Sequence, residues 1–152
     1  MAVGHELTVA VILPVLSEAD TLPTILEHLR QQMPDEIIVV DGGSTDATRD
    51  IVQARTDQLS VRWMVSARGR ASQINAGAAD AHADILLFLH ADTHLPSDAI
   101  ESVRAVIRVG NVWGRFDVRL DNPQFVYRVI EWLMNRRSAL TGIATGDKAI
   151  FV

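Results

Sequence analysis

The sequence predicts an α/β protein in which a mostly parallel sheet carries helices on both faces. Strand-like apolar runs and helix-like amphipathic segments alternate four times, which is the pattern of successive βαβ units. Two of the runs, Glu36–Val40 and Ile85–Leu89, are almost continuously apolar, as expected of strands buried on both faces. Polar or turn-forming residues follow each run, at the strand end where open α/β sheets bind ligands.

The composition favours one globular domain over residues 1–152. Of these residues 48% are hydrophobic and 22% charged, and no linker-like stretch divides them. The net charge of -5 argues against nucleic acid as the main partner, although a few local donors suffice for one phosphate group. Cysteine is absent, which excludes disulfides and thiolate chemistry. The amino-terminal apolar stretch has no basic segment before it, so we expect a strand, no signal peptide and a cytoplasmic protein.

Apolar spacing predicts the elements of the first half of the chain. The β-branched run Thr8–Leu13, which Pro14 is expected to end, predicts the first strand. Ser17 or Asp20 is expected to cap the helix that follows. A helix at Thr21–Gln32 and a strand at Glu36–Val40 come next. A tight turn at the paired glycines Gly42–Gly43 then leads into a helix at Ala47–Arg55 and a weaker strand at Val61–Val65.

The second half continues the alternation. An alanine-rich helix from about Ala71 to Ala81 precedes the fourth strand, and Pro96 or Ser97 is expected to start a helix that Gly110 stops. Beyond it the pattern predicts a strand, a helix and the start of another strand, at Val112–Leu120, Phe125–Arg137 and Gly146–Val152.

Right-handed crossovers place the ends of the four strands along one edge of the sheet. With the usual order 3-2-1-4, Asp41 and Asp92 then lie roughly 10 Å apart, which is two strand spacings. That distance matches the span from a nucleobase to its diphosphate. We expect Asp41 to accept hydrogen bonds from a base, and Asp92, between His90 and His94, to hold Mg²⁺ or Mn²⁺ on the phosphates.

Arg68 and Arg70, after the third strand, are candidates for charge-assisted contacts to the nucleotide. Simpler interpretations stay open for each position. Asp41 is as readily a turn former, Asp46 is better explained as a helix cap, and single arginines are usually solvated surface residues. The remaining histidines are expected at the surface: His5, His28 and His82.

These segments resemble the family 2 glycosyltransferases of the GT-A fold, which has a Rossmann-like sheet. The matching pieces are VAVILPVLSEADTLPTIL, IIVVDGGSTDAT, GRASQINAGAADAHADILLFLHADTHLP and GDKAIFV, in the family's order and over nearly the whole chain. The VVDGGSTD and LFLHADT motifs are similar to one bacterial sub-group. The resemblance implies a nucleotide-activated sugar donor, UDP-linked, and inverting transfer to an acceptor hydroxyl, assisted by Mg²⁺ or Mn²⁺.

The resemblance also implies roles for single residues. Asp41 matches the family acid that reads the uracil, and Pro14 and Glu18 fall in the segment that lines the nucleoside pocket. Arg68 or Arg70 matches the basic position near the base and the phosphates.

Two departures from the family pattern concern the chemistry. The DXD motif reads His90-Ala91-Asp92, so Asp92 matches its last, metal-binding acid and a histidine replaces the first. His90 is expected either to ligate the metal or to hydrogen-bond a phosphate. Family domains continue well past the GD-x-AIF segment and supply a carboxylate base there, so we expect this chain to be truncated relative to the family. Asp147 is the late acid left for that role, and a domain that binds donor without transferring sugar is the alternative.

Family acceptors are often lipid-linked, which gives the segment Phe125–Ile143 two interpretations. It lies on the inner face of a membrane as a peripheral anchor, or it packs in the core as an ordinary helix. A homodimer through an open sheet edge near Val152 is a further hypothesis. A dinucleotide-dependent oxidoreductase is disfavoured, because the first strand leads into PVLSEAD and not into a G-x-G-x-x-G turn.

Overall fold

The computed structural model describes residues 6–56, 60–117, 136 and 149–152. In this part of the chain six strands form one sheet in the order β3-β2-β1-β4-β6-β5. The strands are β1 (Val9–Val15), β2 (Glu36–Asp41), β3 (Val61–Val65), β4 (Ile85–Phe88), β5 (Gly114–Arg115) and β6 (Ile150–Phe151). The helices are α1 (Leu22–Gln32), α2 (Thr48–Gln53), α3 (Arg70–Asp80) and α4 (Ala99–Arg108). The first four strands are parallel and in the predicted order 3-2-1-4, so the predicted fold class is confirmed.

Helices cover both faces of the sheet. The larger core cluster joins one face to α1, α2 and α4, and α3 packs on the other face over β1 and β2. Gly77 makes this second contact close, because a Cβ atom there would stand 2.6 Å from Ile12 Cγ2 and 2.8 Å from Val40 Cγ2. A side chain at this position would therefore hold α3 away from the sheet.

The prediction that Pro14 ends the first strand is wrong, because β1 continues to Val15. In a parallel ladder, alternate residues bond to opposite neighbours. The carbonyl of Ile12 accepts from the Leu89 N–H on the β4 side, so the donor that Pro14 lacks also faces that side. The ladder with β4 ends at Phe88, and proline therefore costs no ladder bond there.

Neither Ser17 nor Asp20 caps α1 as predicted. The N-cap residue is Thr21, and no side chain caps the helix. The backbone carbonyl of Glu18 accepts from the N–H groups of Thr21 and Leu22. That carbonyl satisfies the Leu22 N–H, one of the first-turn donors that have no partner inside the helix.

The position of the last strand differs from the predicted open sheet edge near Val152. Because β6 lies between β4 and β5 and is antiparallel to both, the strand that carries the last residues is internal and leaves no open edge at Val152. The predicted strand Val112–Leu120 is described only to residue 117, and α4 begins at Ala99, after Pro96 and Ser97. Asp147 and nearly all of Phe125–Ile143 lie outside the described residues. Among the described residues, none of the helices combines the length and apolar character needed to cross a bilayer.

Candidate functional site

A cleft of about 250 Å³ opens at the carboxyl edge of the parallel strands. It is formed by three segments, namely the end of β1 with the loop that follows, the loop and first turn that begin α3, and the loop after β4. The sequence-predicted site residues that line it are Pro14, Glu18, Arg68, Arg70, His90 and Asp92. The structure therefore brings most of the predicted positions together in one place.

A larger cavity, of about 420 Å³, lies at the opposite edge of the sheet. Its charged groups are already paired with protein partners. Arg62 bonds the carboxylates of Glu36 and Asp80, and Asp35 accepts from Arg104 Nη2 at 2.8 Å. The smaller cleft is the better candidate site, because its charged groups are available to a ligand.

Two arginines supply the positive charge of the cleft. Arg68 and Arg70 are exposed, and neither guanidinium forms a hydrogen bond or an ion pair with the described residues. Gly69 between them has a φ of 133°, which side-chain-bearing residues rarely adopt. The helix α3 starts at Arg70 with no side-chain cap, so its first-turn N–H groups add to the positive potential.

Asp92 supplies negative charge on the β4 side of the cleft. Its residue is exposed, and its one hydrogen bond with the described residues is a long one, 3.4 Å, from the Thr93 hydroxyl. The turn that carries it is closed by the Thr93 N–H, which donates to the carbonyl of His90 at 3.0 Å. A carboxylate with so little protein contact is free to accept a cation.

The described residues contain no group of three or more His, Asp or Glu side chains close enough to share a metal ion. This does not conflict with a cation on a diphosphate, because Mg²⁺ usually takes one or two carboxylates and completes its shell with phosphate oxygens and water. The exposed carboxylate of Asp92 fits such a site.

The loop after β4 is anchored from α1 by a residue that sequence reasoning places at the surface. His28 is half-buried, and its Nε2 lies 2.8 Å from the carbonyl oxygen of Leu95. The His28 and His94 rings also meet edge to face, with centroids 6.1 Å apart. The expectation of a plain surface histidine is therefore wrong for His28, whose partner is 67 residues away in sequence.

Asp41 is at the same edge of the sheet but does not line the cleft. It is 5% exposed, and its two carboxylate oxygens accept from the Ser44 N–H at 2.9 and 3.1 Å. The Ser44 hydroxyl donates to Asp41 Oδ1 and accepts from the Ser17 N–H at 2.8 Å. The turn-forming role is thus observed, and the carboxylate keeps unused lone pairs for a further donor.

Two more hydrogen bonds tie the loop after β1 to the loop after β2 and to the first residue of α2. The Glu18 N–H donates to Thr48 Oγ1 at 2.9 Å, and the Ala19 N–H donates to Asp46 Oδ2 at 3.1 Å. Asp46 also accepts from the Thr48 hydroxyl, which is the main reason that its pKa lies below the ordinary value. The N-cap residue of α2 is Ala47, which has no side-chain cap, so Asp46 is not the predicted cap. It accepts from the Thr48 N–H at 3.1 Å and ties the loop that carries Glu18 to the start of α2.

Gln73 is a buried polar residue of the cleft that sequence reasoning missed. It is 4% exposed, and its Nε2 lies 2.8 Å from both the Val15 and the Val40 carbonyl oxygens. The i, i+4 spacing to Gly77 is the signal that could have found it. That spacing puts Gln73 on the face of α3 that packs against the sheet.

The sheet order and the position of the cleft define the class: this is a GT-A-type α/β domain with its ligand cleft at the carboxyl edge of the strands. The chain belongs to glycosyl transferase family 2, whose family model matches residues 10–151. The resemblance drawn from the motifs is therefore confirmed.

The chain spans about half the length of the relatives and solved structures described here. It is 29% identical to an undecaprenyl-phosphate 4-deoxy-4-formamido-L-arabinose transferase of Serratia proteamaculans, over 91% of this chain and 46% of that protein. A mannosyltransferase from Pyrobaculum calidifontis, solved with GDP-Man and Mn²⁺, aligns with 97% of this chain and 45% of its own, with a TM-score of 0.68 and 22% identity.

The chain is also similar in structure to a second solved protein. The glucosyl-3-phosphoglycerate synthase of Mycobacterium tuberculosis, with Mn²⁺, UDP and glucosyl-3-phosphoglycerate, aligns with 95% of this chain and 56% of its own, with a TM-score of 0.65 and 19% identity. At these identities the two structures support the fold.

Proposed function

We propose that the cleft binds a nucleoside diphosphate sugar, UDP-linked, and that the chain is the donor-binding part of an inverting glycosyltransferase with a hydroxyl acceptor. The observation that carries this proposal is the charge arrangement of the cleft. Two guanidinium groups that have no partner among the described residues share it with a carboxylate that has no cationic partner among them. A diphosphate satisfies the arginines, and a divalent cation joins the diphosphate to the carboxylate.

Each predicted site residue has a role in this proposal. Arg68 and Arg70 hold the phosphates, and Pro14 and Glu18 border the nucleoside. Asp41 accepts from a base N–H with the lone pairs that Ser44 leaves free.

Asp92 would hold Mg²⁺ or Mn²⁺ together with phosphate oxygens, and His90 would contribute a ring nitrogen to the phosphate or to the ion. When bound, such a cation supplies positive charge that stabilises the departing nucleoside diphosphate. Support comes from the two similar structures, both of which contain Mn²⁺.

The proposal predicts stabilisation by UDP with Mn²⁺. At a UDP concentration 100 times the dissociation constant, the gain is about 2.7 kcal/mol, which raises the melting temperature by several degrees. Asp92→Asn is expected to remove the Mn²⁺-dependent part of the shift, and Asp50→Asn, an exposed acid on α2 outside the cleft, to leave it intact. Differential scanning fluorimetry measures both. No shift with any nucleoside diphosphate, with or without metal, would contradict the proposal.

Transfer to an acceptor is a separate part of the proposal. The name of the Serratia relative supports a lipid-linked acceptor, and with it a peripheral location at the inner face of a membrane. Asp147 stays the predicted base that takes the acceptor proton. Release of UDP in the presence of an acceptor, measured beside donor binding, separates an enzyme from a domain that only binds donor.

A further inference from the structure

We infer that Gln73 is a positioning residue for the donor cleft, an inference that rests on the proposed function. Its carboxamide fixes the ends of β1 and β2 relative to the loop that carries the two arginines. A glutamine side chain has two N–H donors on one nitrogen. Here Nε2 lies 2.8 Å from the carbonyl oxygens of Val15 and Val40, so one side chain bonds two neighbouring strands at once.

These two carbonyls are close to the residues that border the proposed nucleoside site. Val15 follows Pro14 and leads into the loop of Glu18, and Val40 immediately precedes Asp41. Gln73 lies in the first turn of α3, three residues after Arg70, and its N–H donates to the carbonyl of Gly69. The carboxamide therefore spans from the proposed phosphate side of the cleft to the proposed nucleoside side.

The bonding geometry leaves little freedom for the amide. Gln73 is 4% exposed, and a buried polar group that loses its partners is costly. Gly42 closes the other side, because a Cβ atom there would stand 3.1 Å from the Gln73 Cδ and Oε1 atoms. The absence of a side chain at residue 42 thus makes room for the amide.

The decisive experiment compares Gln73→Met with Ala76→Gly, a control on the same helix. Methionine keeps most of the volume of glutamine but donates nothing. Ala76 packs on the same face of the sheet, so its loss weakens α3 without touching the two carbonyls. We expect Gln73→Met to weaken UDP binding about tenfold by calorimetry, and Ala76→Gly to leave it unchanged.

A second variant approaches the same hydrogen bonds from the other side. Gly42→Ala is expected to shift the amide and to weaken UDP binding in the same direction. If Gln73→Met does not fold, this variant alone decides the comparison. Equal affinities of wild type, Gln73→Met and Gly42→Ala for UDP overturn the inference.

Hydrogen exchange tests the inference without a nucleotide. We expect Gln73→Met to speed exchange in residues 12–18, 39–44 and 66–72 more than Ala76→Gly does. The same exchange rates in both variants overturn the inference. If wild type binds no nucleoside diphosphate while this difference in exchange is found, the proposed function fails and the role of Gln73 in shaping the cleft stands.

Discussion

The hydroxyl of Ser44 joins the two loops on the nucleoside side of the proposed site. It donates to Asp41 and accepts from the backbone of Ser17, so it sets both the carboxylate and the loop after β1. The Ser17 N–H donates to the Ser44 hydroxyl and not to the Asp41 carboxylate itself, so the hydroxyl is the link between the loop and the carboxylate. The position of one hydroxyl therefore couples two segments that are 27 residues apart in the chain.

Ser44→Ala is expected to weaken UDP binding several-fold and to lower stability by about 1 kcal/mol for each hydrogen bond lost. Thr45→Ala is the control, since Thr45 is exposed and its hydroxyl has no hydrogen bond with the described residues. Calorimetric titration and urea denaturation of the two variants measure these effects. Identical affinities in the two would show that the hydroxyl does not shape the site.

Asp46 makes the stability of the folded state depend on pH. Its pKa lies below the ordinary value of 3.8, mainly because the Thr48 hydroxyl donates to it. A carboxyl whose pKa is lowered by folding contributes stability above its unfolded pKa and loses it as the pH falls through its folded pKa. Wild type should therefore be more stable than Asp46→Asn at neutral pH, and this difference should vanish in strong acid. Thr48→Val should reduce this pH dependence in urea titrations, and an unchanged dependence would contradict the assignment.

At the scale of elements, α3 carries both the proposed phosphate side of the cleft and a close contact with the sheet. Gly77 allows that contact, because a Cβ atom would overlap Ile12 and Val40. Alanine favours helix over glycine by about 1 kcal/mol, whereas overpacking a core costs about 1–3 kcal/mol. Packing is the larger effect here.

Gly77→Ala is therefore expected to lower the free energy of unfolding by up to about 2 kcal/mol, in spite of the better helix propensity. Adding Val40→Ala removes one of the two overlapping groups, so the double variant should lose less than the sum of the single losses. Chemical denaturation of the four proteins measures the difference. Strict additivity would mean that the two positions do not compete for space.

At the scale of the whole molecule, much of the architecture could be predicted from local pattern. Continuous apolar runs in β2 and β4 marked buried strands, and the alternation with helices gave the parallel order 3-2-1-4. Chain continuity then put the residues after each strand at one edge, which is why Arg68 and Asp92 line the same cleft. The continuation of β1 past Pro14 and the start of α1 after Thr21 could not be predicted. Both depend on which backbone groups of neighbouring segments face these residues.

The sequence by itself determined the fold class, the family motifs and the edge of the sheet where the candidate site lies, because strand burial and helix spacing are periodic properties of the chain. Only the tertiary structure decided that Gln73 bonds Val15 and Val40, that Ser44 links Asp41 to Ser17, and that β6 is inserted inside the sheet. Most of these contacts join residues far apart in sequence. Their distances depend on how the elements pack in three dimensions, and no local pattern encodes that packing.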